Sequence, residues 1–515
     1  MPPAERRRQL QWTYLFVVVC VVGIANLAGQ TQSSTALGRF DGHADVGTVL
    51  HAGTAAYDPA SQAYTVSGSG ENVWGAADAL QFVWTKMEGD VAIEADVAFV
   101  GAGKNPHRKA MLMIRQGLEA DAAYVDAAVH GDGLTSIQFR VDKGGQTQEV
   151  QSNVAGPARV RIERQGEYAR LYVAEAGQPL RFSGGAARVS FTGPLLVGLG
   201  VCSHEKDEIV TARFSKVEIQ KLGTPTKPPV LYSTLETVPA GGGSTDRRVQ
   251  YLSTTRFEAP NWYPDGKAWL VNSGGKLLKI PIGAGAAETV NTGTRTRNNN
   301  DHGISKDGST ILISDQTEGA TAERAGPSRI YTLPLAGGEP TLVTPNAPSY
   351  WHGISPDGRT LAYCAQRDGE FDVYTIPIGG GAETRLTTAP GLDDGPEYSP
   401  DGQWIYFNSV RSGLMQIWKM KPDGSEQTAV TSDEYNNWFA HPSPDGRFLV
   451  FLSYDKSVQG HPANQDVRLR RMTLATGQIV TIGRFYGGQG TQNVPNWSPD
   501  GRAVAFVTYQ QVPQW

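Results

Sequence analysis

The sequence predicts an all-β chain, an N-terminal β-sandwich followed by a six-bladed β-propeller. Three observations carry that expectation. Six near-copies of one signature run through the second half: NWYPDGK, GISKDGS, GISPDGR, EYSPDGQ, HPSPDGR and NWSPDGR, with aspartates at Asp265, Asp307, Asp357, Asp401, Asp445 and Asp500. Their spacings of 42, 50, 44, 44 and 55 residues match the roughly 40–50 residues that one four-stranded blade takes. Residues from about 35 to 220 carry no copy of the signature, but alternate apolar and polar side chains between Gly and Asp turns, which is a sandwich pattern.

Composition agrees. Sixty Gly and 31 Pro with only 19% charged residues suit turn-rich β-structure, and 515 residues exceed one ordinary domain. A net charge of −5 without a basic stripe gives no reason to expect nucleic acid.

Taken in order, the chain opens with Arg6, Arg7 and Arg8 ahead of an apolar run from Tyr14 to about Ala28. A basic cluster, an apolar stretch and then small residues read as a secretory signal over 1–30. The run is short for a membrane span, which takes ~20 residues. A retained N-terminal anchor is the alternative, because no A-x-A site is well placed at 27–30. Both readings put the rest of the chain in the periplasm or outside the cell, touching the inner membrane only through that segment. Cys20 lies in the apolar run, while Cys202 and Cys364 fall in separate apolar strands. That distribution supports buried, inert thiols rather than a disulfide framework.

Strand-like segments follow at 91–97, 109–115, 137–141, 160–164, 169–173, 195–201 and 211–219. With MLMIR at 111–115, GDG at 131–133, RIER at 161–164 and GLGVCSH at 198–204, the stretch 35–222 resembles the concanavalin-type jelly-roll module often found beside carbohydrate-active domains. The resemblance implies an accessory, glycan-binding surface. GTPTKPP at 223–229 reads as a linker.

From 230 to 515 the repeat can be written out. An SPDG turn leads into an apolar strand (360–364), a second strand (372–376), a turn at Gly379-Gly380-Gly381 and a closing TRLT at 384–387. In the turn, Pro presets φ, Gly accepts a positive φ and Asp accepts backbone N–H bonds, so the six aspartates are structural. This repeat closely resembles that of TolB-type propellers, found in periplasmic TolB and in the propellers of prolyl-oligopeptidase relatives. The last signature leaves room for two strands. LETVPAGGG at 235–243 followed by RRVQYLST at 247–254 parallels 374–381 and 383–388. One blade is therefore expected to combine both ends of the domain and close the ring.

The segments before the innermost strands are rich in polar chemistry: NNNDHG at 298–303, YWHG at 350–353, LDDGPE at 392–397, YNNWFAH at 435–441 and QGTQNVP at 489–495. Strand direction puts them on the face opposite the PDG turns, together with long insertions at 315–328 and 454–466. His302 and His352 both stand five residues before a turn aspartate, and Glu397 and His441 four before. Imidazoles with carboxylates suit Mn, Zn or Fe, so His302, His352 and His441 are candidate metal ligands, and Glu397 and Asp394 candidate catalytic carboxylates. Trp351 and Trp438 could stack on a sugar ring, with Asp301, Asp393 and Asn437 as polar ligand contacts. The competing reading is that Asp and Asn at these positions bond the backbone of neighbouring blades. His461, in the second insertion, is a further candidate, whereas His43, His51, His107, His130 and His204 show no mutual pattern.

No G-x-S-x-G elbow, H-E-x-x-H, Walker loop or paired CxxC is present. An α/β-hydrolase, which would mark a prolyl-oligopeptidase relative, does not follow the propeller. The expected function is an exported propeller that binds a polysaccharide or an envelope protein at its channel face. The alternative is a metal-dependent carbohydrate lyase, by analogy with oligogalacturonate lyases, which are propellers holding a metal through histidines. A purely structural envelope component is a weaker third reading.

Overall fold

Each repeat turn is built from its own side chains. Ser355 Oγ donates to Asp357 Oδ1 at 2.5 Å, the N–H of Arg359 donates to the same oxygen at 3.1 Å, and the N–H of Thr360 donates to Ser355 Oγ at 3.0 Å. The same arrangement recurs at Asp307, Asp401, Asp445 and Asp500. Gly358 completes the turn at φ 72°, a conformation that costs a residue with a Cβ. These turns punctuate an all-β protein. The computed structural model describes residues 37–241, 246–283 and 285–515. The segment 1–30, read above as a signal or an anchor, lies outside them, and among the described residues no helix is long and apolar enough to cross a membrane.

The repeats form five separate four-stranded antiparallel blades, where the sequence predicts six. Their innermost strands are Glu258–Trp262, Asn298–Ile304, Ser349–Ile354, Asp393–Tyr398 and Asn436–Pro442. A short polar side chain on the second strand of each of the first four blades ties it to the next blade. Asn272 Nδ2 donates to Asn298 O at 2.7 Å, the Trp351 N–H to Ser314 Oγ at 2.8 Å, Cys364 Sγ to Asp393 O at 3.4 Å and the Phe439 N–H to Asn408 Oδ1 at 3.0 Å. Apolar residues of adjacent blades fill the space between, as Leu312, Ile330, Trp351 and Tyr363 do in one cluster.

The sixth signature behaves differently. Its strand Ala503–Gln514 pairs antiparallel with Lys227–Pro239, which pairs with Arg247–Ser253. The two ends of the repeat region therefore meet as the sequence predicts. They do not form a separate blade, for two reasons. The innermost position is a single bridge, Trp497↔Val504, where the other blades have a full strand. On the outer side, Arg247 and Arg248 continue in parallel onto Val150 and Gln151, merging these strands into a ten-stranded sheet.

Six N-terminal-region strands of that sheet, together with a further edge strand, face a seven-stranded sheet. Val83, Leu112, Val125 and Leu199 of one sheet share a core with Val91, Ile93, Ile162, Leu171 and Phe214 of the other. The sheet runs past residue 222 into the closing strands, so the described topology is not the self-contained jelly roll expected for 35–222. The expected linker at 223–229 is likewise shorter, because Lys227, Pro228 and Pro229 already belong to the strand Lys227–Pro239.

A buried carboxylate knots these parts together. Glu236, 1% exposed, accepts from Thr508 Oγ1 at 2.6 Å and forms an ion pair with Arg247, Oε2 to Nε at 3.1 Å, and Arg247 Nη2 donates to Ala186 O at 3.0 Å. Removing one partner leaves the other charge buried and unpaired. Glu236→Ala is therefore expected to lower unfolding free energy by about 3–5 kcal/mol, measured by urea denaturation; a change within ~0.5 kcal/mol would contradict it.

Candidate functional site

All five innermost strands carry a bulge near their midpoint, and the bulges aim the polar side chains. In the third blade Trp351 pairs with Tyr363 and Gly353 with Ala362, so His352 has no opposite residue. In the second blade Asn298 pairs with Asp315 and His302 with Ile313, leaving residues 299–301 to bulge against one. The first, fourth and fifth blades shift between Glu258 and Asn261, Asp394 and Glu397, and Trp438 and His441. Their bulges contain Ala259, Gly395 and Phe439 at φ 55°, 59° and 54°. That backbone suits Gly395, but is strained by about 1–3 kcal/mol for a residue such as Phe439.

The result is a cavity of about 260 Å³ among the blades. His352 and Asp394 face each other across it with Nε2 and Oδ1 at 3.1 Å. Asp301 and Phe439 join them, and Gln489 and Asn493 close the wall from the segment after the fifth blade. His461 comes from the second insertion, with its Nε2 at 3.8 Å from Asp394 Oδ2 and its Nδ1 on Gln489 Oε1. Trp438 meets the His461 ring edge-on at 4.3 Å, and Phe439 lies between His461 and His352 at 5.1 and 5.9 Å. The polar chain continues outward, with Gln489 Nε2 on Asn300 Oδ1 at 3.3 Å and Asn300 Nδ2 on Glu258 Oε2 at 3.0 Å.

The closed ring brings these residues together. The Ala259 N–H donates to Gly490 O at 2.7 Å and Asn261 Nδ2 to Pro495 O at 2.6 Å, from the first blade. Trp497 Nε1 donates to His441 O at 2.8 Å, from the other side. The segment 489–497 thus bridges the first and fifth blades.

Burial and charge set the protonation states. Burial alone would push the His352 pKa down, but the hydrogen bond to Asp394 and the charges of Asp394 and Asp301 outweigh it and raise it to about 9. Burial opposes ionisation of Asp394 too, yet the His352 partner holds it at about 2. The pair is therefore ionic at neutral pH. Burial lifts Asp301 to about 7, with His352 offsetting part of the effect and the Asp394 charge adding to it.

Similarity to known proteins can be set beside this geometry. The TolB beta propeller domain family matches residues 328–511. An uncharacterized protein of Agrobacterium fabrum is 51% identical over 263 residues, covering 51% of this chain and 88% of that protein. A solved TolB-type structure from Agrobacterium tumefaciens is 49% identical with a TM-score of 0.52, covering 55% of this chain and 99% of that one. The chain belongs to the TolB-type β-propeller family.

In this TolB-type propeller the cavity gathers only part of the expected set. Asp301, His352 and Asp394 line it. His302 does not, although it shares its offset with His352. The larger bulge in its strand returns it to the ladder, where it is fully buried with Nε2 at 3.3 Å from Leu270 O, and burial pushes its pKa down to about 4. His441 pairs with Glu397 at 2.5 Å and with Gln492 O at 3.1 Å. The three histidines thus engage three different partners, and among the described residues no group of three His, Cys, Asp or Glu side chains is arranged to hold a metal ion. His302, His352 and His441, expected to share a Mn, Zn or Fe ion, are thus not brought into one donor group among the described residues.

Glu397 faces the other end, lining a cavity of about 360 Å³ beside the PDG turns with Trp262, Trp351, Tyr398 and Trp497. Trp351 packs against Gly303, where an added Cβ would lie 2.1 Å from the indole, so it is a core residue rather than a sugar platform. Trp438 is buried behind His461. Asp393 is held by Arg411 at 2.6 Å, and Asn437 bonds Asp433 Oδ1 at 3.0 Å and Gln416 Oε1 at 3.1 Å. Both are thus engaged by other side chains, not by the backbone of a neighbouring blade. Tyr350, Phe439, Gln489 and Asn493 were not among the expected site residues. Counting back from the turn aspartates cannot find them, because the bulges differ in size.

The Asp301 carboxyl makes stability pH-dependent. Its folded pKa of about 7 lies above the unfolded value of 3.8, so its stabilisation is complete below 3.8 and is lost as pH rises through 7. Asp301→Asn removes that loss. Its stability relative to wild type is expected to improve by roughly 1–4 kcal/mol between about pH 4 and about pH 8, measured by denaturation at both. A difference that does not change with pH would contradict it.

Proposed function

We propose that this chain is an exported binding protein of the TolB-type propeller family. The ligand, a segment of an envelope protein or of a polysaccharide, enters the cavity that holds His352, Asp394, Asp301 and His461. The two-sheet N-terminal region, read as jelly-roll-like, adds an accessory glycan-binding surface. One observation carries the proposal: a buried ion pair supplied by two different blades lines an open cavity beside a carboxyl that titrates near pH 7. Buried charges cost desolvation energy that apolar packing would avoid, and such groups concentrate where ligands bind. The pair offers a cationic N–H donor and carboxylate acceptors together, while Phe439 and Tyr350 offer apolar faces. That combination suits a polar chain with hydroxyl or amide groups. The signal-like segment at 1–30 and the family of the propeller support export to the periplasm.

The test is calorimetric titration with defined oligosaccharides and short peptides, on wild type and on His352→Gln and Asp394→Asn. A ligand from one of the two classes is expected to bind about tenfold or more weakly to each variant, since each removes a charge-assisted hydrogen bond. Unaltered affinity in both variants would defeat the proposal.

A carbohydrate lyase is the second reading. Asp301 favours it, because a carboxyl near pH 7 can both take and return a proton. Asp394 would then orient His352. A rise in 235 nm absorbance on uronate-containing polysaccharides, abolished in Asp301→Asn, would support this reading over simple binding.

A further inference from the structure

A second cavity, independent of the channel, lies where the seven-stranded sheet meets the closing strand Ala503–Gln514. It has a volume of about 320 Å³ and is lined by Gln165, Tyr168, Arg170, Tyr486, Gln510 and Gln511, with Pro225, Pro229 and Pro513 at its edges. Arg170 is 6% exposed. Its guanidinium makes one hydrogen bond, from Nη2 to Gln511 O at 3.1 Å, while Nε and Nη1 have no partner. Among the described residues no carboxylate lies within ion-pairing distance of it: Glu163, opposite it in the strand pair, acts only at longer range and is engaged by Arg161 and Tyr172, whereas Arg159, Arg161, Arg188 and Arg484 are all paired.

That situation is unusual on energetic grounds. A buried guanidinium needs a counter-charge or a full set of acceptors, since desolvating an unpaired charge costs several kcal/mol. Tyr168 supports one ring face at 5.8 Å from the guanidinium carbon, but a cation–π contact replaces only part of the lost hydration. Burial pushes the Arg170 pKa down, with Tyr172, Glu163 and Tyr168 acting the other way, and a guanidinium keeps its proton at neutral pH in proteins.

We propose that this junction cavity binds a carboxylate-bearing sugar, with Arg170 taking the carboxylate. The planar guanidinium matches a carboxylate through two parallel N–H donors. The amides of Gln165, Gln510 and Gln511 can each donate and accept, which is what ring hydroxyls require. Tyr168 and Tyr486, set edge to face at 6.4 Å and 80°, give the aromatic walls that the C–H faces of a sugar pack against. A bare inorganic anion would use the arginine and leave the tyrosines and amides idle. The volume lies at the low end of small-ligand pockets, which fits one monosaccharide unit. Because the residues come from both the N-terminal sheet and the last strand, the site exists only when the two are joined.

The experiment is calorimetry on the full chain with D-glucuronate, with D-glucose as the uncharged counterpart and sulfate as the bare anion. Glucuronate is expected to bind one site, glucose not measurably, and sulfate more weakly than glucuronate. Arg170→Met is expected to weaken glucuronate about tenfold or more, while melting no lower than wild type, because it removes a buried charge that has one hydrogen bond and no carboxylate in contact. Tyr486→Ala, at a half-buried position, leaves the charge in place and is expected to weaken glucuronate but not sulfate. Failure of glucuronate to bind wild type, unchanged binding in Arg170→Met, or equal affinity for sulfate would each overturn the assignment. His352→Gln serves as the control for the channel, and is expected to leave this binding unchanged.

Discussion

The antiparallel pairing of Lys227–Pro239 with Ala503–Gln514 is the constraint on which the rest of this molecule depends. It joins strands from the two ends of the repeat region along most of their length. Once they are joined, the segment 489–497 has to pass between the first and fifth blades, where it bonds to both. The cavity around His352 takes one of its walls from that segment. An open arc of blades would have free sheet edges and no axis for polar side chains to gather on. The same strands extend the N-terminal sheet, so the ring and the two-sheet layer are held by one continuous hydrogen-bonded surface.

Within the ring, irregularity does the positioning. A regular inner strand would alternate its side chains between the two neighbouring blades. A bulge breaks the alternation and turns one residue along the channel instead. The buried ion pair then has a clear physical logic. His352 and Asp394 come from adjacent blades, each stabilises the charge of the other, and the low-polarity surroundings that make an unpaired ion costly also strengthen the pair. Asp301 sits in the same field without a partner of its own, which is why its proton is held to about pH 7.

Much of the fold was legible in the residues. The PDG signatures, their spacing and the displaced strand at 230–254 carry local information: turn chemistry, strand alternation and repeat length. Each survives unchanged in the structure, down to the Ser–Asp–backbone hydrogen bonds of the turns. The blade count was less legible, because NWSPDGR matches the other signatures, and only the pairing in the folded chain reduces its inner position to one bridge. Merging of the closing strands with the N-terminal sheet rests on two residue pairs, Val150 with Arg247 and Gln151 with Arg248. No local pattern announces such a contact.

For this protein the sequence alone determined what is repeated: an all-β chain, propeller turns, structural aspartates and a polar inner rim bearing His and Asp. These follow from the short-range stereochemistry of each unit. Only the tertiary structure decided which of the polar residues act together. His302 and His352 stand at one offset yet face different surroundings, since two extra residues bulge in one strand and one in the next. Bulge size depends on how a strand fits its neighbours across the ring, and that fit belongs to the packed whole rather than to any single repeat.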